Sequence, residues 1–489
     1  MKLKRIHIST VLTAIFMMAV TSCDDILDVS PEFQKEGSQI FKTIEEYDFA
    51  LTGAYALFRQ VGYFGSGGQT TSTWGNLPDM MGDNLVRTAE DLANWQTQVN
   101  WTYTADENDL EVAWQAAYTV ISQANLTLRN IDQFANSEPE AVARIKGQAL
   151  AIRGMAHFDL LRYWAESYDR NSSGLGVPYV EVVDANSKPN RLTVSQVYDK
   201  IFADLSEAEN LLGNLEDPIN SGTNRSYIDI TVLQALLARI YLYSGNFAQA
   251  EVYATSVINT IPLASRTAFP SIWRDASVSE VIWSVAFNLG EGVPAAGVHI
   301  AGSNRNRFKP SAEVEASYDQ VNDVRFSTYF ANRTLGGASR RILTKFYARN
   351  AAPPTAGDNL VNWKAFRTGE MYLIRAEARA RQAGKESLAL ADLNDLRAAR
   401  ITGYVPQVLT GQALLDAIAL ERRKELIGEG HRWFDLKRTT RTITRPTVDG
   451  HLSATPLTLS SGAREWTWPI PTTELKANEN IAGQQTTGY

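Results

Sequence analysis

The chain has a single cysteine, Cys23, among 489 residues, so no intramolecular disulfide can hold its fold together. It has five histidines. His7 lies at the extreme N-terminus, and His157, His299, His431 and His451 are far apart, with no metal-ligand spacing between them. There is no phosphate-cradling glycine loop and no Gly-x-Ser-x-Gly elbow, which removes the usual scaffolds for nucleotide and acyl chemistry. With 54 acids in the chain, carboxylate pairs occur everywhere by chance, so residues such as Asp83 and Glu107 cannot be read as an acid and base pair without geometry. Positive charge is in deficit: 47 basic residues against 54 acidic give a formal charge of −7, a poor match for nucleic acid or anionic lipid. After residue 20 no apolar stretch is long enough to span a bilayer. The composition reads as a non-enzyme with no cofactor and no metal.

The N-terminus is the most informative segment. Lys2, Lys4 and Arg5 precede an apolar run from Val11 to Val20, which is a secretory signal too short to be a membrane span. Val20-Thr21-Ser22-Cys23 is a loose lipobox, and Cys23 stands where bacterial lipoproteins are cut and acylated. Residues 1–22 therefore read as a lipoprotein signal peptide, residues 23–40 as a lipidated tether, and 41–489 as one domain. Losing Lys2, Lys4 and Arg5 with the signal takes the formal charge from −7 to −10.

Helical signals dominate the rest. Thr43-Ile44-Glu45-Glu46 is a capping box, which predicts a helix to about Arg59. Leu110, Trp114, Ala117, Tyr118, Ile121, Ala124, Leu128 and Ile131 keep a three-or-four spacing, so they predict one buried helical face. A second helix is expected from about Glu140 to Trp164, and a third from the capping box Thr193-Val194-Ser195-Gln196. Residues 230–260, with small alanines around a Gly245-Asn246 turn, resemble a tetratricopeptide unit, as do Met371–Arg400. One more helix is expected from Gln412 to about Gly428. Between these, residues 62–108 and 262–368 lack helical period and are rich in Gly, Ser, Thr, Asn and Arg. Val281–Phe287 and Ile342–Tyr347 read as strands. The expected fold is mainly α, with helical repeats at about 41–60, 109–260 and 369–438 and loop-rich regions at 62–108 and 262–368.

These pieces, in this order, are similar to the SusD/RagB family of outer-membrane nutrient-binding lipoproteins along the whole chain. The matching residues begin with Cys23, Leu27-Asp28-Val29-Ser30-Pro31 and Ala50-Leu51-Thr52-Gly53-Ala54-Tyr55. They continue through Trp114-Gln115-Ala116-Ala117-Tyr118, Arg153-Gly154-Met155-Ala156-His157-Phe158 and Gly176-Val177-Pro178. They end with Glu421-Arg422-Arg423-Lys424-Glu425-Leu426, the run Gly430 to Arg438, Trp468-Pro469-Ile470-Pro471 and the C-terminal Gln484 to Tyr489. The lipobox departs from the pattern in lacking the usual leucine. The resemblance implies a right-handed superhelix of tetratricopeptide-like helix pairs packed against an irregular ligand-binding region. It also implies a partner, a SusC-like TonB-dependent outer-membrane barrel, and a ligand, an oligosaccharide or in some relatives a peptide. Asp24 and Asp25 after the cysteine suit a position on the cell exterior. A structural lid with a vestigial ligand site is the remaining reading.

A sugar ring offers one apolar face and a rim of hydroxyls, so it is held by a flat aromatic beside amides, carboxylates and guanidinium groups. Trp74, Trp95 and Trp101 lie in the irregular segment with Asp83, Asn84, Arg87 and Asn94. The resemblance points to the same stretch for an aromatic, an Arg and an Asn. The candidate ligand residues are Trp74, Asp83, Asn84, Arg87, Trp95 and Trp101, joined by Asn304 and Arg305 from the loop 288–308, on a face away from the repeat helices. That loop has no Trp or Tyr, unlike starch-binding members, so the resemblance implies a shorter, branched, charged or peptide ligand. Trp114, Tyr118, Trp164, Trp273 and Trp283 are expected in the core. In the run from Gly430 to Arg438, Arg432 and Lys437 are expected to pair with acids while Trp433, Phe434 and Leu436 fill a seam. Arg422, Arg423 and Lys424 are expected on a solvated or ion-paired helix face.

Cys23→Ala is expected to leave the protein unacylated and lost from the membrane fraction. Palmitate labelling with fractionation checks this, and a labelled, membrane-bound Cys23→Ala protein contradicts it.

Overall fold

A computed structural model describes residues 41–67, 72–288, 290–300, 305–346 and 360–489, leaving Cys23 and the tether outside the described residues. The chain divides into two units, Met1–Tyr47 and Asp48–Tyr489. Among the described residues there are ten helices of seven residues or more. They are α1 (Ile44–Leu57), α2 (Asn108–Leu128), α3 (Pro139–Trp164), α4 (Val194–Gly213), α5 (Ile230–Ser244), α6 (Phe247–Thr260), α7 (Thr368–Ala380), α8 (Glu386–Arg400), α9 (Gly411–Glu425) and α10 (Arg432–Arg438).

Local chemistry sets the helix ends. The Thr193 hydroxyl accepts from the Gln196 N–H at 3.2 Å while the Gln196 side chain accepts from the Thr193 N–H at 3.0 Å, the reciprocal box read from the sequence. Asp229 caps α5 by accepting from the Val232 N–H at 2.9 Å. Gly245 ends α5 at φ +83°, a conformation that costs a residue with a Cβ, and Asn246 caps α6 immediately after. That turn folds α6 back on α5, and α7 and α8 repeat the arrangement. Consecutive helices pack in pairs, α2 on α3, α3 on α4, α5 on α6 and α7 on α8, while α7 also packs on α6 and α9. Helix α3 is buried from Gly147 to Trp164 on all sides, as a helix at the centre of a layered core must be.

The strands are short and form antiparallel ribbons. They are β1 (Leu85–Arg87), β2 (Val281–Val285), β3 (His299–Ile300), β4 (Arg305–Asn306), β5 (Phe308–Pro310), β6 (Phe330–Leu335), β7 (Ala338–Leu343), β8 (Trp363–Arg367) and the antiparallel pair β9 (Ile443–Thr444) and β10 (Thr458–Leu459). β1 pairs with β5, β2 with β8, β3 with β4 and β6 with β7. The strand expected at Val281–Phe287 is β2. The one expected at Ile342–Tyr347 lies four residues earlier, because Gly336 and Gly337, both at positive φ, set a hairpin turn that fixes the register of β6 on β7. The loop-rich regions are thus ribbons and turns laid against helices, and segments 220 residues apart in sequence pair directly.

A buried charge network joins the two kinds of structure. The Glu425 carboxylate, at the end of α9, accepts from Arg367 (3.0 Å), Arg400 (2.9 Å) and Arg325 (3.0 Å). Arg367 and Arg400 also share Glu280, and Arg367 reaches Glu429, which binds Lys345 at 2.6 Å. Arg325 is further held by Asp323 and Glu421. Every side chain in this network is essentially excluded from solvent. A Cβ on Gly369 would stand 2.6 Å from Glu425 Oε1, so this glycine is what lets the carboxylate sit against the start of α7.

Burial by itself would raise the Glu425 carboxyl, but Arg400, Arg367 and Arg325 outweigh it and hold it well below the usual carboxylate range. Glu421 is likewise brought down to about 2 against its burial by Arg325, Lys424 and Arg397. A carboxyl depressed on folding contributes stability that is complete above its unfolded pKa of about 4.5 and is lost as pH falls toward 2. Cooperative acid unfolding between about pH 4.5 and 2 is therefore expected. Glu425→Gln, which leaves buried guanidinium groups uncompensated, is expected to cost about 3–5 kcal/mol. Thermal melts as a function of pH check both; a melting temperature unchanged in Glu425→Gln contradicts the assigned role.

Candidate functional site

The structure separates the eight expected ligand residues into two groups, with one outside description. Trp74, Asp83, Asn84 and Trp101 are packing residues, which corrects the expectation of a ligand surface built from them. Trp74 is 2% exposed; its indole N–H donates to the Asp159 carbonyl of α3 at 3.1 Å and its ring lies between Tyr63 and Tyr163. It faces the repeat helices and not away from them. The Trp101 indole donates to the Met81 carbonyl at 3.0 Å and the Arg445 guanidinium covers its ring at 4.0 Å. Asp83 receives Arg432 through two hydrogen bonds of 2.6 and 2.8 Å. Asn84 donates to Asp79 and accepts from Arg423. Irregular backbone leaves carbonyls without ladder partners, and buried indoles and guanidinium groups satisfy them here.

Arg87 and Trp95 come together on Asp91, and Arg305 lies close enough to Arg307 beside them to act on its charge. β1 lies on β5 with Arg87 opposite Phe308, and beyond it the Thr88 N–H donates to the Arg307 carbonyl at 2.9 Å. The Thr88 hydroxyl donates to the Asn306 carbonyl, and the Asn306 N–H donates to Glu90 at 2.6 Å. The turn after Arg87 then presents Asp91, whose carboxylate accepts from the Trp95 N–H at 3.2 Å and from Arg87 at 3.5 Å. Arg307 lies over the Trp95 ring at 5.8 Å. Leu92 and Ala93, between Asp91 and Trp95, both sit at positive φ (54° and 64°) without being glycine. Such strain is retained only where surrounding contacts fix it, and it is characteristic of binding turns. Asn304 lies outside the described residues; Asn94 is part-exposed at the rim.

This cluster is rich in unused donors. Arg87 Nε, Arg307 Nε and Trp95 Nε1 are buried and make no hydrogen bond among the described residues; Asp91 Oδ1 and Asn306 Oδ1 are unused acceptors. Arg307 carries no signal of its own in the sequence; its position between β4 and β5, beside the partner of β1, becomes significant only through the β1–β5 pairing. Burial raises the Asp91 carboxyl above its ordinary value, and burial together with nearby Arg305 lowers Arg307.

The charged runs near the C-terminus are structural. His431 faces Arg422 at 3.2 Å, while the Asp435 carboxylate is taken by Arg422 and Arg438. Burial, with Arg239 and Arg422 nearby, keeps its imidazole neutral. Trp433, Phe434 and Leu436 are buried as expected and Arg432 pairs with Asp83. Lys437 differs: it binds no acid but donates to the carbonyls of Arg162, Tyr163 and Ala165 at the end of α3, capping that helix. Arg422, Arg423 and Lys424 are buried and ion-paired, not solvated. Trp114, Trp164, Trp273 and Trp283 are core residues; Tyr118 is half-buried and lines a groove of about 480 Å³. His157, in α3, donates to the Arg153 carbonyl and accepts from the Val180 N–H, a satisfied core histidine. Among the described residues no group of three or more His, Cys, Asp or Glu could hold a metal ion, and no helix is long and apolar enough to cross a membrane.

The sequence matches the family described as "Starch-binding associating with outer membrane" over residues 60–242 and the SusD family over residues 271–489. It is 25% identical to SusD-like protein P38 of Formosa agariphila, across 90% of this chain and 93% of that one. The fold is similar to a SusD superfamily protein from Bacteroides thetaiotaomicron, with a TM-score of 0.79 and 27% identity over 91% of this chain and 99% of that one. It is also similar to one from Bacteroides vulgatus, with a TM-score of 0.78 and 25% identity over 92% and 100%.

Trp74→Ala is expected to lower stability by about 3–5 kcal/mol, since it empties a large buried site and loses the indole hydrogen bond to α3. Denaturant melts check this; a change below about 1 kcal/mol returns Trp74 to the list of surface candidates.

Proposed function

We propose that this protein, which belongs to the SusD/RagB family of outer-membrane-associated, carbohydrate-binding proteins, captures an oligosaccharide at the Arg87–Asp91–Trp95–Arg307 cluster and hands it to a TonB-dependent barrel. The observation that carries the reading is that two segments 220 residues apart converge on one strained turn. There an aromatic ring, guanidinium groups and a carboxylate meet with hydrogen-bonding capacity unspent. That combination is the chemistry of hydroxyl-rich ligands, in which each polar group both donates and accepts.

The remaining parts follow from the sequence. Cys23 is the lipid attachment, residues 1–22 the signal that directs export, and 41–489 one functional domain that binds and does not catalyse. The protein lies on the outer membrane facing the cell exterior. A lipid-tethered binder has neither a pore nor an energy source, so solute entry requires a SusC-like transporter. Rigidly packed helix pairs offer an extended docking surface for it.

Removing a stacking ring from the centre of a binding site costs on the order of 1–3 kcal/mol, about tenfold to a hundredfold in affinity. Trp95→Phe, which keeps an aromatic ring but removes the unspent indole N–H, is expected to weaken oligosaccharide binding by up to about tenfold in calorimetry, with a cooperative melt retained. A glycan and peptide array with the protein lacking residues 1–23 selects the ligand; exclusive binding of peptides overturns the glycan assignment. Tagged full-length protein is expected to co-purify from detergent extracts with a large outer-membrane barrel, and its absence even after crosslinking contradicts the transporter partnership.

A further inference from the structure

The charge at the candidate site is opposite in sign to the charge of the chain. The whole sequence carries −7, yet the ribbons that frame the site bring Arg87, Arg305, Arg307, Arg340 and Arg341 into one neighbourhood. Two of these are internally neutralised: Arg340 pairs with Glu90 at 2.7 Å and Arg341 with Glu315 at 2.9 Å. The inner pair is not. Arg307 is 6% exposed and makes no ion pair among the described residues. Arg87, also 6% exposed, has only Asp91 at a long 3.5 Å. One buried carboxylate therefore serves two buried guanidinium groups, with Arg305 adding positive potential beside them.

A buried charge without a partner is costly, and proteins retain one where a ligand neutralises it. The Glu425 network is arranged differently. At Glu425 three arginines are matched by several carboxylates and their donors are used. At Arg87 and Arg307 both Nε–H groups are unspent, together with the Trp95 indole N–H. Three unspent donors close together favour an acceptor with several oxygens and negative charge. Guanidinium groups bind carboxylates and sulfates through paired, charge-assisted hydrogen bonds. Hydroxyls of a neutral sugar leave the excess charge in place.

We infer that the oligosaccharide taken at this site is anionic, bearing uronate carboxylates or sulfate esters that Arg307 and Arg87 bind while Trp95 lies beside the sugar ring. The inference rests on the glycan reading above and narrows it to a substrate class. Arg307 is the specificity-determining residue, because it makes no direct ion pair among the described residues and only shares the field of Asp91, which is bonded to Arg87.

The test uses the protein lacking residues 1–23 and matched polymers. Polygalacturonate and alginate oligosaccharides are compared with their carboxyl-reduced forms, and chondroitin sulfate and carrageenan oligosaccharides with their desulfated forms, by calorimetry. At least one acidic member is expected to bind ten- to a hundredfold more tightly than its neutral counterpart, and to weaken as sodium chloride is raised. The uronate and sulfate arms identify which group is read. Arg307→Gln is expected to remove that difference between acidic and neutral forms, whatever its effect on the weaker neutral binding, and Arg307→Lys to restore part of it. Equal affinity for the acidic and neutral forms, or an unaltered preference in Arg307→Gln, overturns the anionic assignment and leaves the glycan reading standing. Binding of no acidic or neutral polysaccharide in a wider panel overturns both.

Discussion

The rest of the structure depends on the carboxylate of Glu425. It lies where α9 ends, and three arginines from distant parts of the chain converge on it: Arg325 from the loop-rich region, Arg367 from the end of β8, and Arg400 from the end of α8. Helix packing alone buries apolar stripes and is tolerant of small shifts. A buried carboxylate held by three guanidinium groups is not, because any displacement leaves a charge in a low-dielectric interior without its partner. The network therefore fixes the angle at which the ribbons meet the repeats. Gly369, which has no Cβ to obstruct Glu425, belongs to the same constraint.

That fixed junction makes an irregular binding region workable. Short two-stranded ribbons are marginal by themselves. Here β2 and β8 are buried along their whole lengths, and β1 is buried against β5. Held in this way, the turn from Thr88 to Trp95 keeps two non-glycine residues in left-handed conformations. Pre-ordering a strained turn before ligand arrives lowers the entropy lost on binding. The hydrogen bonds between Thr88, Glu90 and Asn306 carry the rigidity of the scaffold into the site.

The aromatic residues in the loop-rich segments have two distinct uses. Trp74 and Trp101 seal the irregular segment onto its surroundings, Trp74 donating its indole N–H to the Asp159 carbonyl of α3 and Trp101 to the Met81 carbonyl. Trp95 has the same burial but an indole without a partner, beside arginines with unspent donors. Core rings such as Trp433 and Trp468 also have unbonded indole N–H groups, so it is the neighbouring Arg87 and Arg307 with their unspent donors, and not the ring alone, that set Trp95 apart. The C-terminal run Arg432 to Arg438 shows the converse: a row of residues that looks chemical has nearly every polar group committed internally, down to Lys437 closing the end of α3.

The sequence by itself determined the helical repeats, because helix periodicity, capping boxes and the Gly245 turn are local and act over a few residues. Thr193 with Gln196, and Gly245 with Asn246, could be read before any tertiary contact was known. The ordered motifs also identified the family. Only the tertiary structure decided which polar residues were already satisfied. Asp83, Asn84, Trp74 and Trp101 resemble ligand residues until Arg432, Arg423, Asp159 and Met81 are seen to occupy them. Arg307 resembles any other arginine until β5 lies beside β1. The reason is physical: secondary structure follows from neighbours in sequence, whereas whether a buried donor has a partner depends on residues hundreds of positions away.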